Sequence, residues 1–104
     1  MTSQLYLGDC LDVMRGMPDG SVDFCFTDPP YNVGKNYGDY KDNLSDDEYL
    51  AWSKAVIDEI KRVARAACIY VPTKYIMQYW YMLGADYRQI ILSYGPEGAF
   101  RFGF

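Results

Sequence analysis

Histidine is absent from this 104-residue chain, and cysteine occurs only three times, at Cys10, Cys25 and Cys68. Without histidine or paired cysteine spacing there is no ligand set for a structural zinc ion. An odd number of cysteines in strand-like or strand-end contexts argues against a disulfide framework and for a reducing, cytoplasmic setting. No apolar stretch reaches the roughly 18 residues that a membrane-spanning helix needs. The N-terminus also lacks the basic region and apolar run of a secretion signal. Positive charge is short as well: 10 Lys and Arg against 14 Asp and Glu give a net charge of −4. That balance is unfavourable for holding a polyanion without help. Acidic residues gather between Asp39 and Glu48 and basic ones between Lys54 and Arg65, with no basic arm. No internal repeat or low-complexity segment is present.

What the chain does have is core material. Half of it is hydrophobic, 17% is aromatic, and 11 residues are tyrosine. The length suits one small domain over residues 1–104. Gln4 to Leu7 reads as a short strand ending at Gly8-Asp9, followed by a short helix over about Cys10 to Met17. Leu11, Val13, Met14 and Met17 are the candidates for its buried side. Pro18-Asp19-Gly20-Ser21 is a turn by composition, and Val22 to Thr27 is an apolar strand. Asn32 to Asn43 is polar and glycine-containing, without clean alternation, and reads as a loop. The same composition suits an exposed connection or a flap that closes over a ligand.

Ser45-Asp46-Asp47-Glu48 is a capping box opening the best-signalled helix. Tyr49, Trp52, Val56, Ile57, Ile60, Val63 and Ala64 follow helical spacing along one face. Asp58 and Arg62, four apart on the other face, are placed to pair. Ala66 to Val71 is a third strand. A helix from about Thr73 to Leu83 follows, stopped by Gly84, and its stripe of Tyr75, Ile76, Tyr79, Trp80 and Leu83 reads as core rather than as a stacking platform. Tyr87 to Tyr94 is a fourth strand, broken by Gly95-Pro96-Glu97-Gly98. Ala99 to Phe104 is a strand end or hairpin return. Strands alternating with helices predict an α/β fold with a mostly parallel sheet and crossover helices.

The candidate site is Asp28-Pro29-Pro30-Tyr31, placed where the Val22–Thr27 strand ends. Each proline fixes its own φ, and Pro29 pushes Asp28 out of the helical region. The result is a rigid shelf at the carboxyl end of a strand, the usual ligand face of an open α/β sheet. Tyr31 offers a stacking face. Asp28 and an adjoining backbone carbonyl can accept hydrogen bonds from an amine. The plain alternative is a proline turn capping a strand, with Tyr31 as packing.

Three stretches together carry a resemblance: Gly8-Asp9-Cys10-Leu11-Asp12-Val13-Met14, Pro18-Asp19-Gly20-Ser21-Val22-Asp23, and Thr27-Asp28-Pro29-Pro30-Tyr31-Asn32. In that order they resemble the opening of an amino-group DNA methyltransferase of the permuted subgroup, in which the catalytic half comes first. The resemblance implies a partial Rossmann-like methyltransferase fold and S-adenosylmethionine as methyl donor. It implies DNA as partner and methyl transfer to adenine N6 or cytosine N4. It implies catalytic roles for Asp28, Pro29, Pro30 and Tyr31, with Asp9, Cys10, Asp28 and Pro29 facing the cofactor and no metal. Asp at the first shelf position favours adenine.

The chain also departs from that family. No target-recognition segment and no Phe-x-Gly-x-Gly cofactor turn can be found; Gly95, Gly98 and Gly103 do not reproduce one. In the doubly wound strand order, the Gln4 and Val22 strands would flank two strands that are not here. Either the flanking strands re-pair, or a second copy or companion chain supplies the centre. Two further readings stand beside the enzyme: a non-catalytic remnant that binds a partner, and a methyltransferase acting on protein or RNA amines. Sequences of the latter kind usually carry Asn at the first shelf position.

Overall fold

The computed structural model describes residues 2–103, apart from 33, 35, 39, 42, 86, 89, 90 and 95–99. Its spine is a parallel strand pair joined by a helix. Strand β1 (Cys25–Thr27) is followed by a small antiparallel hairpin, β2 (Asn36–Tyr37) and β3 (Tyr40–Lys41), then helix α2 (Asp46–Val63) and strand β4 (Ala67–Ile69). In the parallel pair Cys25 lies opposite Ala67, Phe26 opposite Cys68 and Thr27 opposite Ile69, and a bridge between Val22 and Ala64 extends the same register. A parallel connection needs a long crossover, and α2 supplies it.

Helix α2 starts as its sequence predicts. The Ser45 side chain accepts from the Glu48 N–H at 3.2 Å, and the Glu48 carboxylate accepts from the Ser45 N–H at 3.2 Å. Its buried face consists of Tyr49, Ser53, Val56, Ile57, Ile60 and Val63. Trp52 is only half-buried and Ala64 caps the end, whereas Ser53, which has no apolar signature, is 2% exposed. The expected Asp58–Arg62 pair does not form. Asp58 accepts from Lys54 at 2.6 Å. Arg62 instead reaches the shorter helix α1 (Cys10–Arg15), donating to the carbonyls of Met14 and Met17 at 2.7 and 2.8 Å and to Asp19 and Glu59 at 2.7 Å. Five donors in a planar fork can satisfy several acceptors at once, which one i,i+4 partner cannot match.

A 3₁₀ turn (Thr73–Tyr75) leads into helix α3 (Ile76–Leu83), which ends at Gly84 with φ +83°, a conformation that side chains rarely adopt. The expected core stripe holds in part: Tyr75 and Tyr79 are 2% and 1% exposed and Ile76 and Leu83 are half-buried, but Trp80 is 45% exposed. With Tyr49 and Ile57, Tyr75 and Tyr79 form the central cluster, ringed by Leu44, Leu50, Trp52, Ile69, Val71, Met82 and Leu83. The Tyr49 and Tyr75 rings stack with centroids 4.8 Å apart.

Several expectations need correction. Gln4 to Leu7 is not a strand: it pairs with nothing among the described residues, and Leu5 and Leu7 are fully exposed. An isolated strand has no ladder to satisfy its backbone, so periodicity alone cannot make one. The Asn32–Asn43 loop contains the β2–β3 hairpin, with Gly38 at φ +76° in its turn. Tyr87 and Arg88 precede strand β5 (Ile91–Tyr94), which pairs antiparallel with β6 (Phe100–Gly103), the hairpin return. The Gly95–Gly98 break lies outside the described residues. An α/β architecture holds, but the sheet is not mostly parallel: among the described strands one pair is parallel and two are antiparallel.

Candidate active site

The shelf leaves the carboxyl end of β1. The last bond of the parallel ladder runs from the Tyr70 N–H to the Thr27 carbonyl at 3.0 Å. The next residue, Asp28, is exposed, and Pro29, Pro30 and Tyr31 are half-buried. Asp28 and Tyr31 come close enough for the carboxylate to act on the phenol. The phenol pKa is held well above its ordinary value, first by burial and then by the Asp28 carboxylate beside it. Tyr31 therefore stays neutral.

The shelf is braced from beneath by side chains that the motif does not contain. The Tyr49 hydroxyl, from the first turns of α2, donates to the Pro30 carbonyl at 2.6 Å. The same hydroxyl lies 3.0 Å from that of Tyr79, which in turn donates to Ser53 Oγ at 2.9 Å. Asn32, next in the chain, is the sole described non-glycine residue at positive φ, at 58°. Asparagine tolerates this region better than most residues. Its buried amide accepts from the Leu44 N–H at 2.8 Å and donates to the Leu44 carbonyl at 2.8 Å and to the Tyr75 hydroxyl at 3.0 Å. Tyr75 passes its own proton to Asp46 at 2.7 Å. The shelf is thereby tied to the entrance of α2 and to α3.

These braces change the reading of the proline carbonyls. The Pro30 carbonyl already accepts from Tyr49, which reduces what it can offer a ligand. No donor among the described residues takes the carbonyls of Asp28 or Pro29, which remain acceptors beside the exposed carboxylate. Sequence reasoning placed Tyr49 and the α3 tyrosines in the core but did not see their hydroxyls as supports. Periodicity reports which side is buried, not what a polar atom on that side meets.

Asp9 and Cys10 lie at the start of α1. Asp9 caps α1, its carboxylate accepting from the Leu11 N–H at 2.8 Å. Cys10 is exposed, and partial desolvation together with Asp9 raises its thiol pKa. Burial raises the Cys25 thiol likewise, so neither is an activated nucleophile. Among the described residues no hydrogen bond or ion pair joins Asp9 or Cys10 to the shelf. A shallow cleft of about 80 Å³ lies elsewhere, against Ile69, Val71, Tyr79, Trp80 and Tyr87. It is far smaller than the several hundred Å³ typical of ligand pockets. No group of three or more potential metal ligands occurs among them. No described helix is long and apolar enough to cross a membrane.

The family model for DNA methylases matches residues 22–93, a span that starts at the strand feeding the shelf and ends inside β5. The chain belongs to the DNA methylase family. Its likeness to the amino-group methyltransferases therefore stands. Among relatives of this DNA methylase chain, the Type II methyltransferase M.HpaI of Haemophilus parainfluenzae is 33% identical over 89 residues, 83% of this chain and 28% of its own length. The Type II methyltransferase M.BamHI of Bacillus amyloliquefaciens is 43% identical over 63 residues, 60% of this chain and 15% of its own. The DNA adenine methyltransferase YhdJ of Escherichia coli is 40% identical over 58 residues, 56% of this chain and 20% of its own. The chain thus spans less than a third of the length of these relatives.

Proposed function

We propose that this chain is the catalytic-shelf portion of a Rossmann-like methyltransferase that methylates an exocyclic amino group of a DNA base, with adenine N6 favoured over cytosine N4. The observation that carries this reading is the state of the shelf. Asp28 is exposed, the Asp28 and Pro29 carbonyls have no donor among the described residues, and Pro30 and Asn32 are pinned from below. A rigid platform of acceptors beside an aromatic ring suits a planar group bearing an amine. Two relatives named as Type II methyltransferases and one named as a DNA adenine methyltransferase support the substrate class.

S-adenosylmethionine, when bound, supplies an already activated methyl group. The task left to the protein is to prepare a poor nucleophile, since the lone pair of an exocyclic amine is shared with the ring. Asp28 and the carbonyls beside it accept the amine hydrogens and localise that pair on nitrogen, and the braced shelf fixes its direction of approach. Tyr31 stacks on the extruded base and offsets part of the few kcal/mol that extrusion costs. Of the residues assigned to the cofactor, Asp28 and Pro29 supply one wall, and Asp9 and Cys10 are the further contacts proposed for it at the α1 N-terminus.

The test is calorimetric binding of S-adenosylmethionine to the chain, followed by labelled methyl transfer onto oligonucleotides lacking either adenine or cytosine. We expect transfer that needs adenine and that Asp28→Ala lowers by about a hundredfold or more. Transfer unaffected by that substitution would overturn the role of the shelf. Transfer to cytosine alone would overturn the base assignment. A non-catalytic, partner-binding remnant is the second reading, favoured by a net charge of −4 that is unfavourable for holding DNA. Absence of both binding and transfer under all conditions would support it.

A further inference from the structure

Tyr70 stands next to the shelf without belonging to its motif. The parallel register ends with Thr27 opposite Ile69, and the Tyr70 N–H donates to the Thr27 carbonyl at 3.0 Å. One residue further along both strands, the same register sets Tyr70 beside Asp28. Side chains alternate across a strand. Thr27 and Ile69 turn towards the helices and are half-buried, whereas Phe26 and Tyr70 turn away and are 62% and 37% exposed. Their rings meet edge to face with centroids 5.6 Å apart. Tyr31 has Tyr70 as a neighbour too. Its phenol is raised by burial first, then by Asp28, and next by the Tyr70 phenol, and such an influence falls off with distance. Asp28, Tyr31 and Tyr70 therefore form one group.

That group would only accept hydrogen bonds in the plane of a base if Tyr70 were left out. The Asp28 carboxylate and the Asp28 and Pro29 carbonyls suit the two hydrogens of an amine. They offer nothing to the acceptor nitrogens that flank the amine of adenine on its ring. Tyr31, once its ring is stacked, carries its hydroxyl above the base plane, away from those in-plane lone pairs. Tyr49 has given its proton to Pro30. Tyr79 is 1% exposed and bonded to Tyr49 and Ser53. Tyr70 is different: its ring is steadied by Phe26, and no hydrogen bond among the described residues engages its hydroxyl. A tyrosine hydroxyl can donate.

We propose that Tyr70 is a base-recognition residue, its hydroxyl donating to a ring nitrogen beside the amine that Asp28 holds. Asp28 and Tyr70 then read one donor and one acceptor side by side on the edge of the base. Guanine and thymine would set a carbonyl oxygen against the Asp28 carboxylate and are refused. The inference rests on the methyltransferase reading of the shelf and names what selects its substrate.

The experiment titrates the chain calorimetrically with 2′-deoxyadenosine, in excess S-adenosylhomocysteine so that the nucleoside is not scored in the cofactor's place. The nucleoside carries no phosphate, so the net charge of −4 does not oppose it. Two analogues, each with carbon in place of one flanking ring nitrogen, are run alongside, against the native chain and Tyr70→Phe. We expect one analogue to bind the native chain about three- to tenfold more weakly than deoxyadenosine. Tyr70→Phe should bind deoxyadenosine and that analogue alike, with an unchanged urea midpoint. Equal weakening of Tyr70→Phe towards all the nucleosides would mark a merely structural role and overturn the inference. So would a preference that survives the substitution, or no binding of any nucleoside by the native chain. In each of these cases methyl transfer onto the adenine-containing oligonucleotide, measured separately, decides the proposed function by itself. A preference that Tyr70→Phe abolishes, without any methyl transfer, leaves this inference standing and counts against the proposed function alone.

Discussion

The hydroxyl of Tyr49 and the carbonyl of Pro30, 19 residues apart, meet at 2.6 Å and join the buried end of α2 to the underside of the shelf. A tyrosine has one proton to give. With Tyr49 donating to Pro30, the 3.0 Å approach to Tyr79 requires Tyr79 to donate. That proton is then shared between Tyr49 and Ser53. The direction of the whole chain of hydroxyls is set by the carbonyl at its end.

Tyr49→Phe keeps the ring and its stacking on Tyr75 but leaves the Pro30 carbonyl without its donor. We expect a loss of about 1–3 kcal/mol, the cost of an unsatisfied acceptor removed from water. Urea denaturation followed by circular dichroism measures it. Tyr79→Phe should cost less, since Tyr49 keeps its own acceptor.

Asn32 combines a left-handed backbone with three side-chain bonds. Asn32→Gly relieves the backbone but forfeits the bonds, whereas Asn32→Ala forfeits the bonds and keeps the strain. Both should destabilise, alanine more than glycine by about 1–2 kcal/mol. Equal losses would show that the conformation is not what the position demands.

The Ser45 cap is a local device whose effect should be correspondingly modest. Ser45→Ala is expected to cost about 1 kcal/mol of unfolding free energy, read from the same denaturation midpoint. It should leave any cofactor binding by the shelf unchanged.

Tyr31 sets a pH dependence. Its folded pKa is raised, so the folded state holds the phenolic proton more tightly than the unfolded chain does. The resulting stability is fully present below the ordinary tyrosine pKa of about 10. It is lost as pH climbs through the higher folded value. Ultraviolet titration of tyrosinate should therefore show one group ionising late. That late phase should disappear in Tyr31→Phe and move to lower pH in Asp28→Asn, where the acceptor charge is gone.

The helices were legible because their causes are local. Ser45 and Glu48 define the start of α2, Tyr49 to Val63 define its buried side, and Gly84 ends α3. The shelf was legible too, because two prolines at a strand end leave little conformational choice. The position of Gln4–Leu7 was not, because a strand exists only when another pairs with it. Spacing pairs Arg62 with Asp58 four residues before it, but the fold gives it Glu59 on the same helix together with Asp19 and the carbonyls of Met14 and Met17. By itself, then, the sequence determined the local elements and the rigid Asp28–Tyr31 platform, through dihedral restriction, capping and apolar spacing. Only the tertiary structure decided which carbonyl the platform leaves open, which tyrosine hydroxyl closes the other, and which face of β1 stays uncovered. Hydrogen-bond partners and covering layers depend on residues distant along the chain, and no local pattern encodes how those residues meet.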